Sequence, residues 1–151
     1  MELNVKTIIG KPVVILPACI IKGWIKTVFI DFPGKKVCGY ECMERNPLMI
    51  VRKIAVSRET AAGGHCIMVS GLMDDKKLKA ACRERFVPFA VRASRDGDDL
   101  GFVTDIVYDG FTGAIHALEI SQGLTEDLKN GRRLFKSFTV DMMDKNRVLI
   151  N

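Results

Sequence analysis

The chain runs in short apolar stretches, rich in β-branched and aromatic residues and closed by Gly, Asp, Asn or Pro, rather than in long stripes at helical spacing. Such runs are strand signals, and the Asp-led, Gly-containing segments between them carry turn chemistry. Residues 12–21, apolar but for Cys19 and two prolines, read as a buried strand. Helical spacing is confined to two short stretches. Over residues 74–85 the acids come first and the bases last, with Leu78, Ala81 and Cys82 on one face. Over residues 125–129 Thr125 is placed to cap the start and Asn130-Gly131 to end the segment. The pattern predicts a mainly β protein with short accessory helices.

The same pattern occurs twice. Residues 23–42 align without a gap on residues 101–120, at an offset of 78. Gly23 falls on Gly101, Asp31 on Asp109 and Glu41 on Glu119. Between these landmarks Trp24 matches Phe102, Ile25 matches Val103, Val28 matches Ile106 and Val37 matches Ile115. Each copy therefore contains a β-hairpin whose turn opens at Asp31 or Asp109, with Gly34 and Gly113 as the turn glycines. Residues 64–69 and 145–150 read as closing strands. The expected organisation is a first unit over 1–73, a helical linker over 74–86 and a second unit over 87–151. Short strands in units this small favour compact barrels, because closure removes exposed strand edges.

The stretch from Leu100 to Gly123, with Gly101, Asp105, Asp109, Thr112, Gly113 and Leu118 at its landmarks, resembles the core motif of the PRC-barrel family. Asp127-Leu128 and Gly131-Arg132, just beyond it, resemble the small bacterial, sporulation-associated branch. The first copy departs from the motif, with Thr27 in place of Asp105 and a Phe-Pro-Gly turn in place of Thr-Gly. The resemblance implies two tandem small PRC-barrel-like β-barrels serving as a non-catalytic adaptor for a protein partner, a second copy of the chain among the candidates. A pI of about 9.0 and the cluster of Arg132, Arg133 and Lys136 motivate the alternative of an RNA- or ribosome-associated factor.

Charge bears on that alternative. The net charge is +5, and residues 1–75 carry 10 Lys/Arg against 7 Asp/Glu while residues 76–151 carry 13 against 11. The value reflects no single basic block. Among the local clusters Arg132, Arg133 and Lys136 are the candidate contacts for phosphate or for a partner. Aromatic residues make up 7% of the chain and sit largely at core positions, which leaves few rings to stack on bases.

The remaining chemistry is sparse. Five cysteines at irregular spacings fit free thiols in a reducing compartment, and a cytoplasmic location without a membrane span is expected. Cys38 and Cys42 are four apart, but the repeat puts Cys42 on Ile120, an apolar slot, and no further ligand pair completes a zinc site. His65 and His116, the only histidines, stand in no nucleophile motif. Gly63-Gly64 is too sparse for a phosphate loop. Asp105 and Asp109 share a strand face, although Asp109 opens the turn. The sequence thus predicts no catalytic residue, no metal and no cofactor.

Overall fold

A computed structural model describes residues 1–44, 51–55, 61–72, 78, 80–141, 143–144 and 146–151. The protein is mainly β, with a curled half-barrel sheet. Among the described residues its elements are β1 (Glu2–Asn4), α1 (Val5–Ile8), β2 (Pro12–Ile15), β3 (Ile20–Asp31), β4 (Lys36–Glu44), β5 (Val51–Ala55), β6 (Ala61–Ala62), β7 (Ile67–Val69), a 3-10 turn (Ala80–Cys82), β8 (Arg92–Arg95), β9 (Asp98–Asp109), β10 (Ile115–Ser121), α2 (Leu124–Asn130), β11 (Arg133–Phe135), β12 (Phe138–Val140) and β13 (Arg147–Ile150).

Two compact units divide the chain. Unit 1 comprises residues 1–86 together with 108–114, and unit 2 comprises residues 87–107 and 115–151. The tip of the second hairpin thus counts with unit 1. In one sheet the strands run β5-β4-β3-β2-β7-β6, and in the other β11-β10-β9-β8-β13-β12. Adding six to every strand number of the first path gives the second. Even the unusual step recurs, since β2 pairs parallel with β7 and β8 pairs parallel with β13. A parallel pair cannot be closed by a tight turn. The long return of the chain to its own first strand is therefore a shared feature of both copies.

The landmarks of the repeat do equivalent work in each sheet. Gly23 lies where a Cβ would run into the carbonyl of Met43, and Gly101 where it would run into that of Ser121, again 78 residues on. A side chain at either position would push the hairpin strands apart. The inward positions also match. Ile25 and Val103, Val28 and Ile106, and Cys42 and Ile120 are all buried. Each fully buried aliphatic side chain of this size contributes roughly 1.5–3 kcal/mol.

Three local readings are corrected. Residues 12–21 are not one buried strand: β2 ends at Ile15, a turn intervenes, and β3 begins at Ile20, where Ile20 and Ile21 face outward. The expected helix over 74–85 falls partly on residues 73–77 and 79, outside the described set. Its described end is a single 3-10 turn followed by extended chain, because Ile30 N donates to Glu84 O and Phe86 N to Val28 O. That segment takes the edge of β3 beyond the end of β2. Thr125 does not cap α2, whose N-cap is Gly123 and which has no side-chain cap bond.

Candidate functional site

Unit 2 holds a cleft of about 380 Å³ lined by Phe89, Leu100, Phe102, Gln122, Gly123 and Glu126 among others. Its lining includes Gly101 and Ser121, which lie so close that a Cβ on Gly101 would strike the Ser121 carbonyl. Gly101 has φ +120°, which a side chain rarely adopts. Asp99 fixes this bend: its Oδ1 accepts from Gly101 N at 3.1 Å and its Oδ2 from the Arg92 guanidinium at 3.0 Å. The amide of Gly101, and secondarily Arg92, hold the Asp99 carboxyl below the usual carboxylate range.

Two aromatic rings form one wall. Phe89 and Phe102 lie 6.4 Å apart at a tilt of 51°, with Arg132 6.0 Å from the Phe89 centroid and Arg92 5.5 Å from that of Phe102. Phe89 sits half exposed at φ +68°, held there as its N–H donates to Val103 O. A bulky residue in the left-handed region is uncommon, and here it carries a ring to the surface.

The other wall is the start of α2. This seven-residue helix buries none of its own side chains, and Leu124 and Leu128, one turn apart, are 77% and 79% exposed. Polar bonds hold the helix in place instead. Ser121 Oγ donates to Asp127 Oδ2 at 2.6 Å, and Arg132 Nε donates to the same oxygen at 3.1 Å. The second arm of Arg132 reaches Glu119 Oε1 at 3.2 Å, which also accepts from Thr104 Oγ1. Asp127 is consequently held below, and Arg132 above, its ordinary pKa, Ser121 being the larger cause for the first and Asp127 for the second.

This geometry decides what the three expected contact residues do. Arg132 is committed to two carboxylates and braces α2 against β10, while Arg133 on β11 and Lys136 beyond it are exposed. The trio is not one open cationic patch. Its surroundings are acidic as well: unit 2 carries 8 Lys/Arg against 9 Asp/Glu, whereas unit 1 carries 15 against 9. The net positive charge therefore resides in unit 1.

The four turn residues come together in unit 1. Asp31 Oδ1 accepts from Gly34 N at 3.1 Å, and Asp109 Oδ1 accepts from Phe111 N and Thr112 N at 2.8 and 2.9 Å. The other oxygen of Asp109 meets the N-terminal ammonium of Met1 at 3.3 Å. These donors, the Thr112 amide foremost, pull the Asp109 pKa down to about 2. Val37 N donates to Gly113 O, and at φ +79° a Cβ on Gly113 would strike the Val37 carbonyl. Beneath the turns the Tyr40 and Tyr108 hydroxyls share a bond of 3.1 Å, fully buried, and burial pushes Tyr40 up to about 12. Asp105, by contrast, is buried with Oδ1 accepting from Ile106 N, apart from the turn that Asp109 opens.

Further residues are put to use that the sequence reading left unassigned. Glu41 is 1% exposed and accepts from Arg85 Nε at 2.9 Å, with Lys26 Nζ at 3.8 Å. Both glutamate landmarks of the repeat thus hold an arginine, Arg85 for Glu41 and Arg132 for Glu119. The repeat marked the acids, but nothing in the spacing marked their partners. Cys38 and Cys82 are joined as a disulfide, their Cα atoms 6.0 Å apart, so the reading of five free thiols holds for Cys19, Cys42 and Cys66 only. Burial, and then Glu44, push the Cys42 thiol up to about 11.

No family model and no curated protein matches the chain. Among the described residues, no helix is long and apolar enough to cross a membrane and no group of three or more His, Cys, Asp or Glu is placed to hold a metal ion.

Proposed function

We propose that the chain is a non-catalytic adaptor that binds another protein through the cleft and helix α2 of unit 2. The observation that carries this reading is the pair Leu124 and Leu128. Two leucines one helical turn apart, both more than three-quarters exposed, share one face of α2, the helix whose Glu126 lines the cleft walled by Phe89 and Phe102. Two large apolar side chains this exposed on one helix face form an apolar patch of the kind found at contact sites. Arg92 and Arg132 over the rings add residue types enriched at interfaces. The occupant that fits is a polypeptide segment that lays an apolar side chain against the exposed faces of the two rings. The likeness to PRC-barrel adaptors points the same way.

The described lining of the cleft carries no histidine or cysteine, and its one hydroxyl, on Ser121, is bonded to Asp127 and Gly123. That hydroxyl is used to hold α2, and no histidine or cysteine in the described lining stands beside it, which favours recognition over catalysis. The RNA- or ribosome-associated reading draws on pI ≈ 9.0. At Arg132, Arg133 and Lys136 it is weakened by the commitment of Arg132 and by the acidic balance of unit 2.

Capture from native lysate on the immobilised chain, with and without RNase, tests the proposal. The expected result is a protein retained after RNase treatment, lost with Leu124→Glu and Leu128→Glu together, and kept with Leu128→Met. Loss on RNase treatment, or indifference to the double substitution, overturns it.

A further inference from the structure

The segment after the 3-10 turn is fastened to the first hairpin at both ends. At its far end lie the Glu84 and Phe86 backbone bonds to β3, the bond from Thr27 Oγ1 to Phe86 O, and the Arg85–Glu41 pair. At its near end the attachment consists of Leu78 and Cys82 packed on Phe29 and of the Cys38–Cys82 disulfide. Among the described residues, the packing of Leu78 and Cys82 on Phe29 and one covalent bond hold this end, whereas residues 84–86 keep their backbone bonds whatever the sulfurs do.

We propose that Cys38 and Cys82 form a reversible redox clip, closed by a low-molecular-weight disulfide and opened by a dithiol, that fixes or frees the 3-10 turn Ala80–Cys82 and the Arg83 that follows it without unfolding unit 1. Cys38 is partly exposed and Cys82 is 5% exposed, so the first exchange takes place at Cys38. The Cys38 thiolate attacks one sulfur of the small disulfide, forms a mixed disulfide and releases one thiolate. Cys82, having lost its proton, then attacks the Cys38 sulfur and expels the second thiolate. Two electrons pass from the cysteine pair to the small disulfide, which becomes two thiols, and a dithiol reverses both steps. Buried Cys42 stays protonated and takes no part, while Cys19 and Cys66 lack a described partner thiol within the chain.

The clip closes a loop spanning a sequence separation of 44, and Arg83, the residue that follows Cys82, is an exposed trypsin site beside it. The test uses the full chain, equilibrated with glutathione disulfide or with dithiothreitol. Intact mass should differ by two hydrogens, and peptide mapping should recover Cys38 linked to Cys82. Trypsin cleavage after Arg83 should be about tenfold faster in the reduced chain, while cleavage within β3 and β4 stays slow. Cys38→Ser and Cys82→Ser should each give the fast rate regardless of redox state, whereas Cys66→Ser should keep the difference. Cys82 packs in a core cluster, so if Cys82→Ser does not fold, the half-buried Cys38→Ser decides alone. Separate alkylation of Cys38 and Cys82 after the oxidant, or equal cleavage rates in the two states, overturns the proposal.

Discussion

Individual residues at the two hairpin turns can be tested by comparing glycines that differ in one respect. Gly97 and Gly113 both have φ near +80°, but a Cβ at Gly97 meets nothing within 4 Å while one at Gly113 strikes the Val37 carbonyl. Gly97→Ala should therefore cost about 1 kcal/mol, the penalty of the left-handed backbone alone. Gly113→Ala should exceed it by a further ~2 kcal/mol, read as the difference in urea midpoint, because the backbone of β4 has to move. Asp109 offers a second test. Its folded pKa of about 2 lies below the ordinary 3.8, so its contribution is complete above about pH 4 and is lost as pH falls through 2. Asp109→Asn keeps an oxygen for the Phe111 and Thr112 amides but removes the charge. Thermal melts from pH 5 to pH 2 should then fall less steeply for the variant than for the parent. Asp109 was legible in the sequence, because Gly, Asp and Glu at one offset reveal backbone requirements that recur, and Gly113 by its place in the turn that Asp109 opens, whereas nothing in the repeat marked Gly97. Arg85 and Arg132 were not legible, since a long side chain finds its carboxylate in space and leaves no spacing behind.

The elements were legible in proportion to their length. The long hairpins announced themselves through alternation and turn residues, whereas β6 and β11, two and three residues long, carry too few positions for a period to register. The turn between β2 and β3 was hidden by a run of apolar residues. Helix α2 shows what propensity misses: it is held less by a buried face than by Ser121, Asp127 and Arg132. Arg132→Ala should cost about 1 kcal/mol, since partly exposed ion pairs are individually modest, and should raise amide exchange across residues 124–130. Arg133→Ala should change neither quantity. In unit 1 the Glu41–Arg85 pair poses a harsher case, because Glu41 is almost wholly buried. Arg85→Ala leaves that carboxylate, among the described side chains, with Lys26 at 3.8 Å and should destabilise by roughly 2–3 kcal/mol, discounted from the fully buried range because Arg85 itself is half exposed. The loss should shrink by more than half when Glu41 is already Gln, which a double-mutant cycle on urea midpoints would show.

At the scale of the whole molecule, strand order and charge carry different information. The two sheets repeat one order, down to the parallel step, so the duplication inferred from an offset of 78 has a topological counterpart that no window of residues displays. Charge followed another division. Cutting the chain near its middle spreads the positive charge evenly, but the compact units put an excess of six in unit 1 and a deficit of one in unit 2. The sequence concealed this, because residues 108–114 and the basic stretch up to Arg85 belong with the first unit. Any attraction for RNA should accordingly follow unit 1. Binding of a single-stranded RNA, read by fluorescence anisotropy in rising KCl, should be weak and should decline with a log–log slope of about −0.7 for each phosphate contacted. Lys35→Ala with Lys36→Ala, exposed at the first hairpin turn, should weaken it more than Arg133→Ala with Lys136→Ala. A protein partner seated on Leu124 and Leu128 should be indifferent to both pairs of substitutions and to salt in the same range, because apolar burial is not screened. Salt-resistant RNA binding, lost with Arg133→Ala and Lys136→Ala, would instead put the nucleic-acid surface on unit 2.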